Sequence, residues 1–398
     1  MGRKYNLKAA VNDEQLVFTV AGRVDSVTVK EFETTVTKER EAHPEGGIVF
    51  ECSELEYISS AGLRILLSLR KKEKEPIRII NVSPRVNEIL EVTGFSQLFE
   101  VSRGMKDISG REARKLGGSS SLTIYRMDDD TLLKVYSHEK SLEAIEQERR
   151  YAQIAFMNGI PTIIAYDVVM YKGHYGMLYE LVQVDTISSI INSSFEERDK
   201  FAADMGKLLK IVHSAEPDPG LLPETQTLFE GWAQKMGAWL KPEEVAALTR
   251  LIQAIPPADT VVYGSFYGRN IFVQGTELLL INMAGLSCGN PIFDLGTTYM
   301  HYVNQPGDAV KSATGLDPEG AKKFWDIMIR TYFETEDENV IQRHEEVIRA
   351  AALLRAALAP AISSSLAEGE AERYIEIARS QVVPQVDQLA ALLSTAQF

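Results

Sequence analysis

Apolar residues in the first hundred positions form short runs that alternate with segments of helical periodicity. Three β-rich runs predict buried strands, at 16–20, 47–50 and 77–80. Helical spacing of apolar residues predicts three helices, at 27–41, 61–70 and 84–93. Because strands and helices alternate, we expect a mostly parallel sheet covered by helices, an α/β module that occupies residues 1–104.

The pattern changes beyond this module. A polar stretch that contains glycine, 105–110, predicts a linker between two domains. Strands and one long helix are predicted for 111–183, whereas 184–398 is mainly helical. Proline cannot continue a helix, so we expect breaks in the last two helical segments at Pro360 and Pro384.

Composition and charge narrow the classes of function. The 398 residues are 45% hydrophobic and 25% charged, which is typical of a globular protein, and the net charge is −14. So acidic a chain argues against general binding to nucleic acid or to an anionic membrane. Its two cysteines, Cys52 and Cys288, indicate free thiols in a reducing compartment. With no run of 18 apolar residues, we expect a cytoplasmic protein.

Residues 51–67, ECSELEYISSAGLRILL, place two serines directly before a helix. A helix N-terminus has free backbone N–H groups and the positive end of the helix dipole, so it accommodates a phosphate. A phosphate on Ser60 would therefore be accommodated at this helix end. Serine is also a preferred N-cap residue, and the alternative is that Ser60 only caps the helix.

This stretch resembles the STAS domain, the fold of bacterial anti-sigma factor antagonists, in which an Asp-Ser-Ser-Gly-Leu turn leads from a strand into a helix. Matching Gly62 and Leu63 to that turn places Ser60 at the serine that the family phosphorylates, and Ser59 where its aspartate stands. The resemblance covers about the first 104 residues. It implies a protein partner of the anti-sigma factor or kinase type.

Residues 116–136 predict a β-hairpin, with strands at 122–125 and 132–136. A glycine-serine loop precedes the hairpin, and Lys134 lies in its second strand. A helix and a further strand are predicted next, at 140–158 and 175–182. These features follow one another along the chain as a loop, a strand lysine, a helix and a strand. Their order is a more specific signal than any single feature.

This order resembles the N-lobe of the aminoglycoside/choline kinase-like phosphotransferases, a bilobal α+β fold of the protein-kinase type. The resemblance implies that the hairpin covers the phosphates of ATP, that Lys134 pairs with them, and that a hinge meets the adenine. For the acidic partner of the lysine we choose Glu148, with Glu146 as the alternative. The residues implied in nucleotide binding are Gly117, Gly118, Ser119, Lys134, Glu148, Glu180 and Val182.

The stretch 261–295 resembles the catalytic region of the same family. There the loop reads His-Gly-Asp, then four residues and Asn, and a second Asp beyond the next hairpin binds the metal. In this chain Ser265 stands at the position of the catalytic Asp and Asn282 at that of the metal-binding Asp. Asn270 is retained at the other metal position, and Asp294 matches a later structural Asp.

These substitutions change the expected chemistry. Mg²⁺ prefers carboxylates, and Asn282 offers only a neutral carbonyl oxygen. Ser265 has no basicity near neutral pH, so it cannot act as a general base. We therefore expect ATP as the cofactor, with weakened binding of Mg²⁺. His213 ends the predicted helix 201–214, and we interpret it as a packing or capping residue rather than as a base.

Three functions remain open from the sequence. The first is a regulatory and binding protein, a STAS module fused to a pseudokinase that binds nucleotide with little or no phosphotransfer. The second is an active ATP-dependent phosphotransferase acting on a hydroxylated small molecule, such as a sugar or an aminoglycoside-like compound. The third is that the kinase-like domain phosphorylates Ser60 of the same chain.

Overall fold

The computed structural model describes residues 4–12, 15–118, 121–137, 139–181, 185–193, 197–218, 220–363, 366 and 369–398. The chain splits into two compact units, Met1–Ser109 and Gly110–Phe398. A two-residue strand, Lys106–Asp107, lies within the stretch predicted as a linker. Among the described helices, none has a stretch long and apolar enough to cross a membrane.

The first unit contains one five-stranded sheet. In spatial order its strands are Asn6–Asn12, Gln15–Val24, Ile48–Ile58, Arg78–Val82 and Glu100–Arg103. The first pair is antiparallel and the other pairs are parallel. The covering helices are Val29–Ala42, Ser60–Arg70 and Pro84–Val92, with a short 3₁₀ turn at Phe95–Gln97.

The core of this unit explains why the central strands were predictable. Phe18 and Phe50 are paired across neighbouring parallel strands, and their rings stack with centroids 5.0 Å apart. Ile79 continues this row on the next strand and is buried as well. The α/β fold, the three predicted strands and the three predicted helices are confirmed. The sequence analysis missed the two edge strands, Asn6–Asn12 and Glu100–Arg103.

The second unit begins with an antiparallel sheet and one long helix. Five neighbouring strands of that sheet are, in spatial order, Arg114–Gly118, Leu122–Arg126, Thr131–Tyr136, His174–Glu180 and Ala165–Tyr171. The helix is Leu142–Met157, and Ser141 caps it by accepting a hydrogen bond from the Ala144 N–H at 3.2 Å. The predicted hairpin is confirmed, with Ile124 opposite Lys134.

The remainder of the second unit is mainly helical. Its helices are Ile187–Ser193, Arg198–His213, Thr225–Lys235, Pro242–Ala254, Ile292–Tyr302, Gly307–Thr314, Pro318–Phe333, Glu338–Ala357, Ala359–Ile362, Glu370–Ile377 and Val386–Leu393. Short strands occur at Asp185–Thr186, Thr260–Val262, Ile271–Gln274, Glu277–Leu280 and Ser287–Gly289. As predicted, the last helical segments are interrupted at Pro360 and Pro384, the second by a π turn and a 3₁₀ turn.

Candidate functional site

Lys134 and Glu148 form an ion pair in the second unit. Lys134 Nζ donates to Glu148 Oε1 at 2.8 Å, and only 1% of the Glu148 side chain is exposed. The lysine comes from the strand Thr131–Tyr136 and the glutamate from the helix Leu142–Met157. Glu146, the alternative partner, instead pairs with Arg149 on its own helix at 2.9 Å.

A second lysine, which the sequence analysis missed, completes this ion pair. Lys140 Nζ donates to Glu148 Oε2 at 2.6 Å, so each carboxylate oxygen accepts from one ammonium group. Burial alone would raise the pKa of Glu148, but the charges of Lys134 and Lys140 outweigh burial and lower it to about 2. Burial also lowers the pKa of Lys134, and the carboxylate of Glu148 opposes that shift. Glu148 is thus ionised at physiological pH.

Three of the sequence-predicted site residues, Ser265, Asn270 and Asn282, are joined by hydrogen bonds. Lys134 Nζ donates to Asn282 Oδ1 at 2.8 Å, and Asn282 Nδ2 donates to Asn270 Oδ1 at 3.1 Å. Asn270 Nδ2 in turn donates to the backbone carbonyl of Ser265 at 3.0 Å. We call Lys134, Asn282, Asn270 and Ser265 the amide chain.

The orientation of both side-chain amides in the amide chain is fixed by the groups at its two ends, Lys134 and the Ser265 carbonyl. The ammonium of Lys134 can only donate, so the side-chain oxygen of Asn282 must face it. The carbonyl of Ser265 can only accept, so the side-chain nitrogen of Asn270 must face it. Each amide oxygen that could bind a metal therefore already accepts a hydrogen bond from a protein donor.

These residues do not fit a magnesium ion well. Mg²⁺ requires near-octahedral oxygen ligands and usually one or two carboxylates. Asn270 and Asn282 are neutral, and a metal could reach their oxygens only in competition with the Asn282 amide and the Lys134 ammonium. Among the described residues, no group of three or more His, Cys, Asp or Glu side chains is arranged to hold a metal.

Asp294 is fully buried and organises the backbone at the start of the catalytic loop. Its carboxylate accepts from the N–H groups of Tyr263 and Gly264, each at 2.6 Å, and lies 3.2 Å from His213 Nε2. The other nitrogen of His213 lies 2.8 Å from the hydroxyl of Tyr332. His213 is thus a buried bridge between two side chains, consistent with the packing interpretation, and it does not face the cleft as a base.

Gly264 adopts a backbone conformation that the loop requires. Its φ is +84°, in the left-handed region that other residues rarely adopt. A Cβ added there would lie 2.8 Å from the carbonyl oxygen of Gly285. The loop can therefore approach the turn that follows Asn282 only because this position has no side chain.

An elongated cleft of about 520 Å³ lies beside Lys134 and Asn282. This volume is in the range of small-molecule sites. Its walls are mostly aliphatic and aromatic, with two arginines that the sequence analysis missed. The lining residues are Arg114, Leu116, Gly117, Leu122, Ile124, Arg126, Leu132, Lys134, Ile163, Tyr179, Leu181, Phe272, Ile281 and Asn282. Apolar walls that face each other suit a flat aromatic ring.

The predicted glycine loop is only partly described. Gly117 lines the cleft, whereas Ser119 lies outside the described residues. Gly118 has a φ of +155°, and a Cβ there would clash with the carbonyl oxygen of Leu122. Glycine is thus required at 118 by the closeness of the two strands of the hairpin, whether or not a phosphate binds.

Two backbone N–H groups of the predicted hinge are already bonded within the protein. The N–H of Glu180 donates to the carbonyl of Ile164 at 3.1 Å, and that of Leu181 donates to Asp130 at 2.7 Å. The side chain of Glu180 accepts from the Ile164 N–H at 2.7 Å. Val182, the third predicted hinge residue, lies outside the described residues.

In the first unit, Ser59 and Ser60 lie at the start of the second helix and have different roles. The cap is Ser59, whose hydroxyl accepts from the Gly62 N–H at 3.3 Å, and not Ser60. Ser60 is the first helical residue and is exposed. Arg64, one turn later, donates to the carbonyl of Ser60 at 3.2 Å.

Comparison with known proteins agrees with this division into two units. The model of the STAS domain matches residues 6–108, and the model of the phosphotransferase enzyme family matches residues 112–323. An anti-sigma factor antagonist of Bordetella bronchiseptica is 29% identical over 93 residues, 23% of this chain and 79% of that protein. The anti-sigma-B factor antagonist of Staphylococcus aureus (strain NCTC 8325) is 29% identical over 103 residues, 25% of this chain and 94% of that protein.

Two solved structures are similar to this chain over most of its length. A choline/ethanolamine kinase family protein from Mesorhizobium loti has a TM-score of 0.47 at 14% identity, over 72% of this chain and 94% of that chain. The amicoumacin kinase hAmiN has a TM-score of 0.48 at 12% identity, over 80% of this chain and 96% of that chain. The phosphotransferase model covers more than half of the 398 residues. The chain therefore belongs to the phosphotransferase enzyme family and carries an N-terminal STAS domain.

Proposed function

We propose that this protein is a regulatory, nucleotide-binding pseudokinase fused to a STAS domain, with little or no phosphotransfer. The observation that carries the proposal is the hydrogen bond between Lys134 and Asn282. In an active site of this family, a carboxylate at the position of Asn282 would bind the metal that bridges the phosphates of ATP. Here a neutral amide occupies that position and is held by protein donors and acceptors.

The cleft supports nucleotide binding without the metal. Leu132, Ile163 and Ile281 line it with apolar surface that suits an adenine ring. Lys134 and the two arginines of the lining, Arg114 and Arg126, supply positive charge for the phosphates. The N–H groups of Glu180 and Leu181 are already bonded within the protein, so an adenine would have to compete for them.

The proposal is tested by thermal denaturation in the presence of ATP, with Mg²⁺ and with EDTA. A ligand that binds only the native state raises Tm by mass action. We expect stabilisation by ATP in EDTA, little further effect of Mg²⁺, and loss of stabilisation in Lys134→Ala. Lys207→Ala is the matched control, because this lysine is 66% exposed and pairs only at the surface with Asp204. Absence of any shift by ATP would contradict the proposal.

The competing function is ATP-dependent phosphotransfer to a hydroxylated small molecule. It would require a carboxylate to replace the one missing at Ser265. The nearest acidic residue in the matched motifs is Asp294, and its oxygens already accept from Tyr263, Gly264 and His213. Phosphate transfer from ATP to any acceptor by the purified protein, abolished by Lys134→Ala, would establish this function in place of the first.

For the STAS domain we propose binding to a regulatory protein partner, an anti-sigma factor or a kinase, controlled by phosphorylation of Ser60. Two observations favour this role: Ser59 supplies the helix cap, and Ser60 is left exposed on the first turn beside Arg64. A phosphate at a helix N-terminus and near a guanidinium is electrostatically stabilised.

Phosphopeptide mapping of the protein purified from its native cells tests this assignment, with Ser60→Ala as the control. Incubation of the purified protein with ATP separates the sources of the phosphate. Modification of Ser60 in that incubation would mean that the chain phosphorylates itself, whereas an unmodified mass would assign the reaction to another kinase. No phosphate on Ser60 in either sample would contradict the assignment.

A further inference from the structure

The catalytic loop is joined to the C-terminal helices through Tyr267. This residue lies between Ser265 and Asn270, and its backbone carbonyl accepts from the Asn270 N–H at 2.9 Å. Its ring packs against the ring of His301, with centroids 4.3 Å apart. His301 lies in the last turn of the helix Ile292–Tyr302. A group bound beside Tyr267 would therefore be next to the position of the catalytic residue.

Two arginines lie beyond this aromatic pair. Arg355, in the last turn of the helix Glu338–Ala357, is close enough to Tyr267 and Tyr374 for their phenols to affect its pKa. The guanidinium of Arg373 lies over the ring of Tyr374, 4.6 Å from the centroid. The hydroxyl of Tyr374 accepts from Gln305 Nε2 at 3.3 Å. We call Tyr267, His301, Arg355, Arg373 and Tyr374 the arginine cluster.

Part of the hydrogen-bonding capacity of the arginine cluster is unused within the described part of the chain. Arg373 Nε and Nη2 are buried and have no hydrogen-bond partner there. Burial lowers the pKa of Arg355 to about 10, and phenols rather than carboxylates are the groups that oppose this shift. Buried guanidinium donors without a partner are costly, and an anion would satisfy them.

His301, the histidine of the cluster, also lacks a hydrogen-bond partner at one ring nitrogen among the described residues. Burial, with the nearby charge of Arg355, lowers the pKa of His301 to about 3, so its ring is neutral at physiological pH. Its Nδ1 atom is buried and, among the described residues, has no hydrogen-bond partner. Arg355, Arg373, His301 and Tyr267 are each partly exposed as whole residues, so the cluster lies at the surface although these donor atoms are buried.

We propose that the arginine cluster binds the oxyanion group, a phosphate or a carboxylate, of a small hydroxylated ligand. Guanidinium groups form bidentate hydrogen bonds with such oxyanions, and Arg355 and Arg373 supply two of them. The inference deepens the proposed function, since it gives the nucleotide cleft a second, acceptor-side ligand.

The charge of this site also separates classes of ligand. A polyamine such as an aminoglycoside would bring ammonium groups towards Arg355 and Arg373, and like charges at close range are unfavourable. A sugar or polyol that carries a phosphate or carboxylate has the complementary charge. The arginine cluster therefore favours an acidic hydroxylated ligand over the aminoglycoside-like one.

The test uses inorganic phosphate as the probe and full-length Lys134→Ala protein as the background. Removing Lys134 takes away the ammonium of the nucleotide cleft but leaves Arg114 and Arg126 there, so the cluster variants below decide how much of the remaining phosphate binding belongs to the arginine cluster. Binding is measured by calorimetry at constant ionic strength in a buffer of amine and chloride, which screens non-specific attraction equally in every sample. Folding of each protein is checked by circular dichroism.

Arg355→Gln and Arg373→Gln are added separately to this background. We expect each to weaken phosphate binding by roughly tenfold or more, because each removes a charge-assisted pair of hydrogen bonds. Arg343→Gln is the matched control, since Arg343 lies on the same helix as Arg355 and is exposed. Arg373→Gln keeps the test decisive if the more buried Arg355→Gln variant fails to fold.

Phosphate binding that both glutamine variants leave unchanged would overturn the proposal, as would the absence of saturable phosphate binding in the Lys134→Ala background. An ATP titration of the wild-type protein runs in parallel. If ATP fails to bind while phosphate binds at Arg373, only the nucleotide function is lost. Replacing phosphate by glycerate, which carries a carboxylate and hydroxyl groups, distinguishes the two oxyanions by their relative affinities.

Discussion

Lys134 Nζ lies 2.8 Å from Asn282 Oδ1, although 148 residues separate them in the sequence. The same ammonium lies 2.8 Å from Glu148. A lysine that would meet nucleotide phosphates is thus held between one carboxylate and one amide. Under the proposed function, Asn282 stands where the family would have a metal-binding carboxylate, and its side-chain oxygen instead accepts a hydrogen bond from Lys134.

Restoring both carboxylates should recover chemistry if the site is a decayed kinase. Asn282 has a φ of +61°, which Asp also tolerates, so Asn282→Asp is compatible with the backbone. We expect Asn282→Asp to make ATP binding depend on Mg²⁺, as measured by calorimetry. The double variant with Ser265→Asp should raise ATP turnover by roughly 10²-fold or more, because a general base is restored. Ser265→Asp alone is the control, since it lacks the metal ligand.

If the double variant binds Mg²⁺ with ATP but shows no turnover, simple decay is excluded. The chain would then lack other features that phosphotransfer requires, such as a productive position for the acceptor. Asn282→Asp also places a carboxylate beside Lys134 without removing Glu148. A pair of acidic partners around one lysine should change the stability of the second unit little, which a denaturation curve of the variant checks.

Glu148 makes the stability of the second unit depend on pH in the acid range. Its pKa is lowered from 4.5 to about 2 in the folded chain, so its contribution is complete above pH 4.5. As pH falls from 4.5 to 2, the unfolded chain takes up the proton first and the contribution is lost. The size of this loss is on the order of 3 kcal/mol. All three tryptophans, at 232, 239 and 325, lie in the second unit, so their fluorescence follows its unfolding.

Glu148→Gln should remove this part of the pH dependence. At neutral pH it leaves Lys134 and Lys140 without their shared carboxylate, and we expect destabilisation of about 3–5 kcal/mol. Glu146→Gln is the control on the same helix, and its partly buried pair with Arg149, one turn away, should contribute about 1 kcal/mol or less. Equal urea midpoints for the two variants would show that the ion pairs of Glu148 with Lys134 and Lys140 do not stabilise the fold.

The sequence was informative where one local feature determines the structure. Apolar runs indicated the central strands around Phe18 and Phe50, because the apolar residues of these runs supply buried side chains of the core. The edge strand Asn6–Asn12 was missed, since most of its side chains are exposed and none is fully buried. The break at Pro384 was predictable from the missing N–H of proline alone.

Contacts between distant segments could not be predicted in the same way. Spacing indicated Glu148 as the partner of Lys134, but Lys140 precedes the helix, and nothing in its local pattern points to the same carboxylate. The arginine cluster likewise depends on three separate helices meeting beside Tyr267. In such sites the chemistry is decided by packing of helices, which periodicity does not specify.

Gly264 should be the most sensitive glycine of the catalytic loop. Gly264→Ala adds the strain of a left-handed φ, about 1–2 kcal/mol, and a Cβ that lies 2.8 Å from the carbonyl oxygen of Gly285. Gly275→Ala is the matched control, because Gly275 has a φ of +61° and nothing within 4 Å of the added Cβ. The urea midpoint of Gly264→Ala should fall well below that of Gly275→Ala. Equal midpoints would mean that the loop relaxes away from Gly285.

The serine pair of the STAS domain offers a comparison between neighbouring residues. Ser59→Ala removes the helix cap and should destabilise the helix Ser60–Arg70 by about 1 kcal/mol, because the Gly62 N–H loses its acceptor. Ser60→Ala should change stability by less than about 0.5 kcal/mol, since Ser60 is exposed and is not the cap. Hydrogen exchange of peptides from this helix measures both changes without contribution from the second unit. Faster exchange in Ser60→Ala than in Ser59→Ala would reverse the two roles and weaken the case that Ser60 is kept for modification rather than for capping.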